Sequence, residues 1–179
     1  MQRNIKSISY DEDRPIVLIG MMGVGKSTIG RRLATRLAMR FVDADDEIAL
    51  AADMTIPEIF EYYGEDGFRD GERRVIARLI EEGPAVIATG GGAFMNEETR
   101  KLILEKATAI WLDADINILV ERVSRREGRP LLKGKDPRTV LTELAAVRTP
   151  VYALAPYHVK SGSGLHEQTV ERILEALQK

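Results

Sequence analysis

The stretch VLIGMMGVGKSTIG, residues Val17–Gly30, holds the spacing G-x-x-x-x-G-K-S between Gly20 and Ser27. Apolar residues run into a glycine loop, and a helical pattern follows it. In such a loop successive backbone N–H groups point inward at phosphate oxygens, and the helix N-terminus adds its dipole. Lys26 then serves as a point charge for β- and γ-phosphates, and Ser27 offers its hydroxyl to Mg2+. A chance match of this motif in a chain of 179 residues is on the order of one per cent, given glycine at about 7% of residues. The strand before the loop and the helix after it narrow that further. No Asn-Lys-x-Asp occurs, and no Asp-x-x-Gly follows the loop, so ATP rather than GTP is the expected nucleotide.

Outward from this loop, short apolar runs alternate with amphipathic stretches. The runs are Ile16–Ile19, Phe41–Val42, Ala85–Ala88, Ala109–Leu112 and Tyr157–Val159. Helix ends are readable between them. Thr55-Ile56-Pro57-Glu58 reads as a capping box, with Gly64 as its stop. Asn96 caps Glu97–Lys106, Asp115 caps Ile116–Arg126, and Asp136-Pro137 reads as an N-cap followed by proline. Strands alternating with helices predict a parallel sheet covered on both faces, an α/β fold with right-handed crossovers. Residues 1–14 are polar and read as a loose arm, leaving residues 15–179 as one domain. The segment GRPLLKGK, Gly128–Lys135, is a long-loop candidate, and such loops in compact domains tend to be functional.

Composition narrows the class. Apolar residues at 44% and charged residues at 30% suit a water-soluble globular chain. A net charge of −2 provides no basic field to draw nucleic acid. Without cysteine, disulfides and thiolate metal sites are excluded. The segment MQRNIKSISYDEDRP has no apolar core of signal-peptide length, and no run approaches the ~18 apolar residues of a membrane span. The expectation is a cytoplasmic monomer with no membrane or nucleic-acid partner.

Several residues outside the loop could carry chemistry. A Mg2+ partner is expected where an acid ends an apolar strand. Asp113 ends AIWLD and Asp43 ends FVD; strand length favours Asp113, and pattern alone leaves the two open. FVDADDEI packs four acids into Asp43–Glu47, at the carboxyl edge of the sheet, where ligands bind in open α/β folds. A carboxylate there could take a proton from an attacking hydroxyl. Gly90, Gly91 and Gly92 also follow a strand and permit close approach of a ligand. Arg69, just before a helix, Arg129, in the long loop, and Arg148, before Pro150, each read alone as solvated surface arginines, as do Arg125, Arg126, Lys133 and Lys135 as surface charges.

In order and spacing, the P-loop, D-x-D, GFRD, T-G-G-G, GRPLL and R-x-P-x-Y together resemble the shikimate kinase family, from about Val17 to the end of the chain. The resemblance implies the adenylate-kinase-like P-loop kinase fold, a five-stranded parallel sheet in order 2-3-1-4-5 flanked by helices, with a mobile lid at about residues 124–135. It implies transfer of the γ-phosphoryl of ATP to the 3-hydroxyl of shikimate. Asp45 matches the aspartate that holds the ring hydroxyls and is the favoured base. Asp43 matches the one that assists Mg2+, with Ser27 beside it. Arg69 and Arg148 match the pair on the shikimate carboxylate, and Gly90–Gly92 the backbone wall of that pocket. Arg129 matches the lid arginine that reaches ATP, and Arg122 the arginine that stacks on adenine. Gly23, Val24, Gly25, Lys26, Ser27 and Thr28 complete the nucleotide cradle. Two features depart from the family pattern: the arm is extra, and SGSGLHEQ contains no assignable adenine ligand. A related kinase, such as a gluconate kinase, is the alternative.

Overall fold

The computed structural model of the protein describes residues 10–126 and 129–179. Five parallel strands form its centre: β1 (Ile16–Ile19), β2 (Phe41–Asp43), β3 (Val86–Ala88), β4 (Thr108–Asp113) and β5 (Tyr157–Lys160). Their order is β2-β3-β1-β4-β5. Strand β1 sits in the middle, with Val17 opposite Ile87 on one side and Ala109 on the other. All four of its residues are buried. An unbroken apolar run is what a parallel strand covered on both faces requires.

Seven helices flank the sheet among the described residues: α1 (Lys26–Leu37), α2 (Ala44–Ala52), α3 (Ile56–Glu81), α4 (Glu97–Lys106), α5 (Ile116–Ser124), α6 (Pro137–Tyr152) and α7 (His166–Leu177). Their starts follow side-chain chemistry. Thr55 and Glu58 form the expected capping box. The side chains of Asp43, Asn96, Asp115 and Asp136 accept from backbone N–H groups of α2, α4, α5 and α6. None of these helices is long and apolar enough to cross a membrane.

The structure departs from expectation at three places. Gly64 does not end its helix. It breaks α3 with φ 73° and ψ −179°, and the helical backbone resumes beyond it. A Cβ there would meet nothing within 4 Å, so glycine serves the backbone angle and not space. Helix α5 stops at Ser124, with Arg125 as its C-cap, rather than reaching Arg126. Tyr10, assigned by the sequence to the loose arm, is buried among core residues. The rest of the arm, residues 1–9, lies outside the described residues, as do positions 127 and 128 of the expected lid. Within that segment Pro130–Leu132 form a short 3-10 turn.

Candidate active site

The site is assembled where β1, β2 and β3 end. After Ile19 the chain turns through the glycine loop, and Gly25 caps α1 in the left-handed conformation at φ 101°, open to glycine at little cost. Lys26 follows and is buried. Its Nζ donates to the carbonyls of Gly20 and Met21 at 2.8 and 2.9 Å. Burial lowers its pKa to about 7; Asp45 and Asp43 oppose that shift, and Arg129 and Arg148 reinforce it. An ammonium held this way is poised to exchange loop carbonyls for a phosphate.

Ser27 Oγ donates to Asp43 Oδ2 at 2.5 Å, and the other oxygen of Asp43 accepts from the Asp45 N–H at 3.0 Å. Asp113 is engaged elsewhere. The parallel register sets it beside Lys160, whose ammonium it pairs with, and His158 lies 3.0 Å from the same oxygen. Of the two strand-end acids, Asp43 is therefore the one that faces the loop, against what strand length suggests. No group of three or more His, Asp or Glu among the described residues could cage a metal. The hydroxyl and carboxylate of Ser27 and Asp43 nevertheless fit Mg2+, a hard ion that keeps most of its waters and rides on nucleotide phosphates.

A cavity of about 550 Å3 opens over the loop. Its lining includes Lys26, Ser27, Thr28, Arg122, Arg129 and His166. Arg122 donates to the carbonyls of Gly23, Val24 and Gly162 at 3.2, 3.0 and 2.9 Å, tying α5 to the glycine loop and to the segment before α7. Arg125 and Arg126, expected as surface charges, also line this cavity. His166, for which the sequence suggested no role, stands against Gly25: a Cβ on that glycine would lie 3.3 Å from its Cε1. Burial and the charges of Arg122, Arg32 and Arg126 lower its pKa.

A second, smaller cavity of about 160 Å3 adjoins the first, sharing Met22, Asp45, Gly90, Gly91 and Arg129 with it. Arg69 and Glu72 reach it from α3, Arg148 from α6, and Ile56, Phe60 and Phe68 supply apolar wall. Arg69 donates to Glu72 Oε1 at 2.8 Å. The three glycines are fitted to these charges. A Cβ at Gly90 would lie 2.9 Å from Glu72 Oε2, one at Gly91 2.8 Å from Arg148 Nη1, and one at Gly92 2.5 Å from Arg69 Nη2. Burial raises the pKa of Asp45, with Asp43 adding to it and Lys26, Arg129 and Arg69 opposing. Burial also raises that of Glu72, against the pull of Arg69.

Among the described residues, four buried side-chain atoms have no hydrogen-bond partner: Asp45 Oδ1, Glu72 Oε2, Arg129 Nε and Arg148 Nη1. All four residues line the small cavity. Buried polar atoms left unpaired are costly, so their convergence marks a place for a polar ligand. That ligand must accept from arginines and donate to carboxylates. The candidate residues named from the sequence are thus found around these two joined cavities, apart from Asp113 and from Val24, whose side chain is buried in the core. Glu72 was missed, although its spacing of three from Arg69 on a helix is a readable ion-pair signal. Tyr152 entered only as the last residue of R-x-P-x-Y, with no role of its own, and His166 gave no local signal.

The shikimate kinase family model matches residues 22–178 of the chain. A shikimate kinase of Zymomonas mobilis is 59% identical over 97% of this chain and 98% of its own. One from Caulobacter vibrioides is 58% identical over 93% of this chain and 83% of its own. Among solved structures, the shikimate kinase of Acinetobacter baumannii in complex with shikimate superposes with a TM-score of 0.88 at 36% identity, over 90% of this chain and 91% of that one.

Proposed function

Because this chain belongs to the shikimate kinase family, we infer that it transfers the γ-phosphoryl of ATP to the 3-hydroxyl of shikimate, giving shikimate 3-phosphate and ADP on the route to chorismate and the aromatic amino acids. The observation that carries the reading is the set of four unpartnered atoms around the small cavity. A ring carrying one carboxylate and several hydroxyls has the complementary donors and acceptors. The neighbouring large cavity, floored by the glycine loop, takes ATP. We further propose that the protein works as a cytoplasmic monomer, one domain from residue 15 to 179, with residues 124–135 closing as a lid.

Phosphoryl transfer asks a protein for position and charge more than for covalent chemistry. Gly23, Val24, Gly25 and Thr28 would wrap the phosphates with backbone and hydroxyl donors, and Arg122 with His166 would flank the base. Lys26 would turn its ammonium from the loop carbonyls to the β- and γ-phosphates. Ser27 and Asp43 would hold Mg2+, which supplies positive charge against the phosphate oxygens. Arg69 and Arg148 would grip the shikimate carboxylate, arginine being suited by its planar fork and permanent charge. Gly90–Gly92 would form the wall beside the ring. Asp45 would hold ring hydroxyls and accept the proton of the attacking one, a role to which its burial-raised pKa inclines it. Arg129, contributed by the lid, would meet the charge that spreads over the transferring group. Closure excludes water, which would otherwise take the phosphoryl.

The test is ADP release in a coupled assay. Turnover should need shikimate and should not be supported by gluconate; ADP release with gluconate and none with shikimate would replace the reading with that of another small-molecule kinase.

A further inference from the structure

Helix α6 places a second group behind the glycine wall of the small cavity, where no ligand would touch it. Tyr152 lies four residues after Arg148, on the same face of the helix and one turn along. Its side chain is wholly buried. The phenol donates a short hydrogen bond to the carbonyl of Gly91, the middle glycine of the wall. The same glycine meets Arg148 on another side, since a Cβ there would come within 2.8 Å of Arg148 Nη1. Gly91 is therefore held between two residues of one helix.

The phenol is itself fixed. Its ring lies against Trp111 of β4, with centroids 6.0 Å apart, and Trp111 stacks on His158 of β5 at 4.0 Å and 11°. Between Arg148 and Tyr152 stands Pro150, which removes one rung of the helix's own hydrogen-bond ladder. The last turn of α6 thus depends more than usual on contacts outside the helix. The bond to Gly91 is such a contact, and it spans 61 positions of sequence.

We propose that Tyr152 is a positioning residue of the carboxylate site: its hydroxyl locks the Gly91 carbonyl and so sets the glycine wall and Arg148 at a fixed separation before the acceptor arrives. The proposal rests on the reading of Arg148 as a ligand of the acceptor carboxylate. Burial pushes the Tyr152 pKa up to about 12, so the hydroxyl keeps the proton it donates throughout the working range. Removing it leaves the part-buried Gly91 carbonyl without this partner and lets the wall shift against Arg148, which lines the small cavity and not the large one, so that the acceptor feels the change more than ATP.

The experiment compares Tyr152→Phe with replacement of Tyr152 by 4-aminophenylalanine, which keeps the ring and a donor at the same place. Melting temperatures are measured alongside. In the Phe variant KM for shikimate should rise about tenfold, equivalent to ~1.4 kcal/mol, with kcat changed by less than about threefold and KM for ATP unaltered. The amino variant should bring KM for shikimate back to near the parent value. A Phe variant with parental KM, one that fails to fold, or an amino variant as impaired as Phe would overturn the proposal. Arg148→Ala separates this from the underlying reading. If it raises KM for shikimate while Tyr152→Phe does not, the positioning role alone falls; if it leaves KM unchanged, the carboxylate site falls and the proposal with it.

Discussion

Ser27 and Asp43 meet through a hydrogen bond of 2.5 Å, which joins the first turn of α1 to the last residue of β2. Both are hard oxygen donors. The serine hydroxyl must give up this bond, or share it, when a cation arrives with the nucleotide. On the proposed reading the pair would hold the cation position in place beforehand, with Asp43 as the acid that answers to Mg2+.

Asp43→Asn should accordingly raise the Mg2+ concentration needed for half-maximal activity by about tenfold, the scale on which groups around a bound metal act. Asp113→Asn should leave that requirement alone and lower the melting temperature instead, since it releases Lys160 and His158. Titrating activity against Mg2+ for both variants checks this. The reverse pattern would move the metal position to β4.

Lys26 offers a pH-dependent signature. Its pKa in the unliganded protein lies near 7, well below the unfolded value of ~10.4. Between those two values the unfolded chain holds a proton that the folded one lacks, so this residue's contribution to stability rises with pH across that window, and below pH 7 the cost of a buried charge is fully present. Bound phosphate should restore the ammonium. MgADP binding should then take up close to one proton at pH 8.5, and this uptake should vanish at pH 6. Calorimetry in buffers of different ionisation enthalpy measures it; absence of uptake at pH 8.5 would show that Lys26 stays charged without a ligand.

The glycine wall can be tested one methyl group at a time. Gly92 has an ordinary φ of −92°, so Gly92→Ala is permitted by the backbone and obstructed only by Arg69, 2.5 Å from the new Cβ. KM for shikimate should rise by about a decade, the scale of one charge-assisted hydrogen bond, with KM for ATP unchanged. Gly64→Ala makes the opposite demand: open space but φ of 73°. It should destabilise the fold by about 1–3 kcal/mol and leave the substrates' affinities to the folded protein as they were. Steady-state kinetics with thermal melting on both variants distinguishes steric from backbone effects.

What the sequence disclosed, and what it did not, divides by the range of the interactions. The sheet order expected from the family resemblance is the order found, and the apolar run Ile16–Ile19 coincides with β1, because burial on both faces leaves no polar position in a central strand. The capping box and the Asx caps were legible for a similar reason: a cap is a contact between neighbours. Gly64 misled because a positive-φ glycine commonly ends a helix, and nothing local says that the chain will take up the helix again. Asp113 misled because strand length is local, whereas its partner Lys160 is fixed by the pairing of β4 with β5. Tyr152 was legible only as the last residue of R-x-P-x-Y and not in its role, since its partner Gly91 lies 61 positions away.

The central claim is that Arg148 and Arg69 hold a carboxylate so that one hydroxyl faces Asp45 and the γ-phosphate. Its most direct measurement is kcat/KM for shikimate against shikimate methyl ester, in the parent enzyme and in Arg148→Ala. An acceptor without the charge leaves the buried Arg148 without its carboxylate partner, at a cost of roughly 3–5 kcal/mol, which is on the order of a hundred- to several-thousandfold. The acid should therefore exceed the ester by at least about a hundredfold in the parent, and the gap should narrow in Arg148→Ala. An ester that turns over as well as the acid in the parent enzyme would contradict the account.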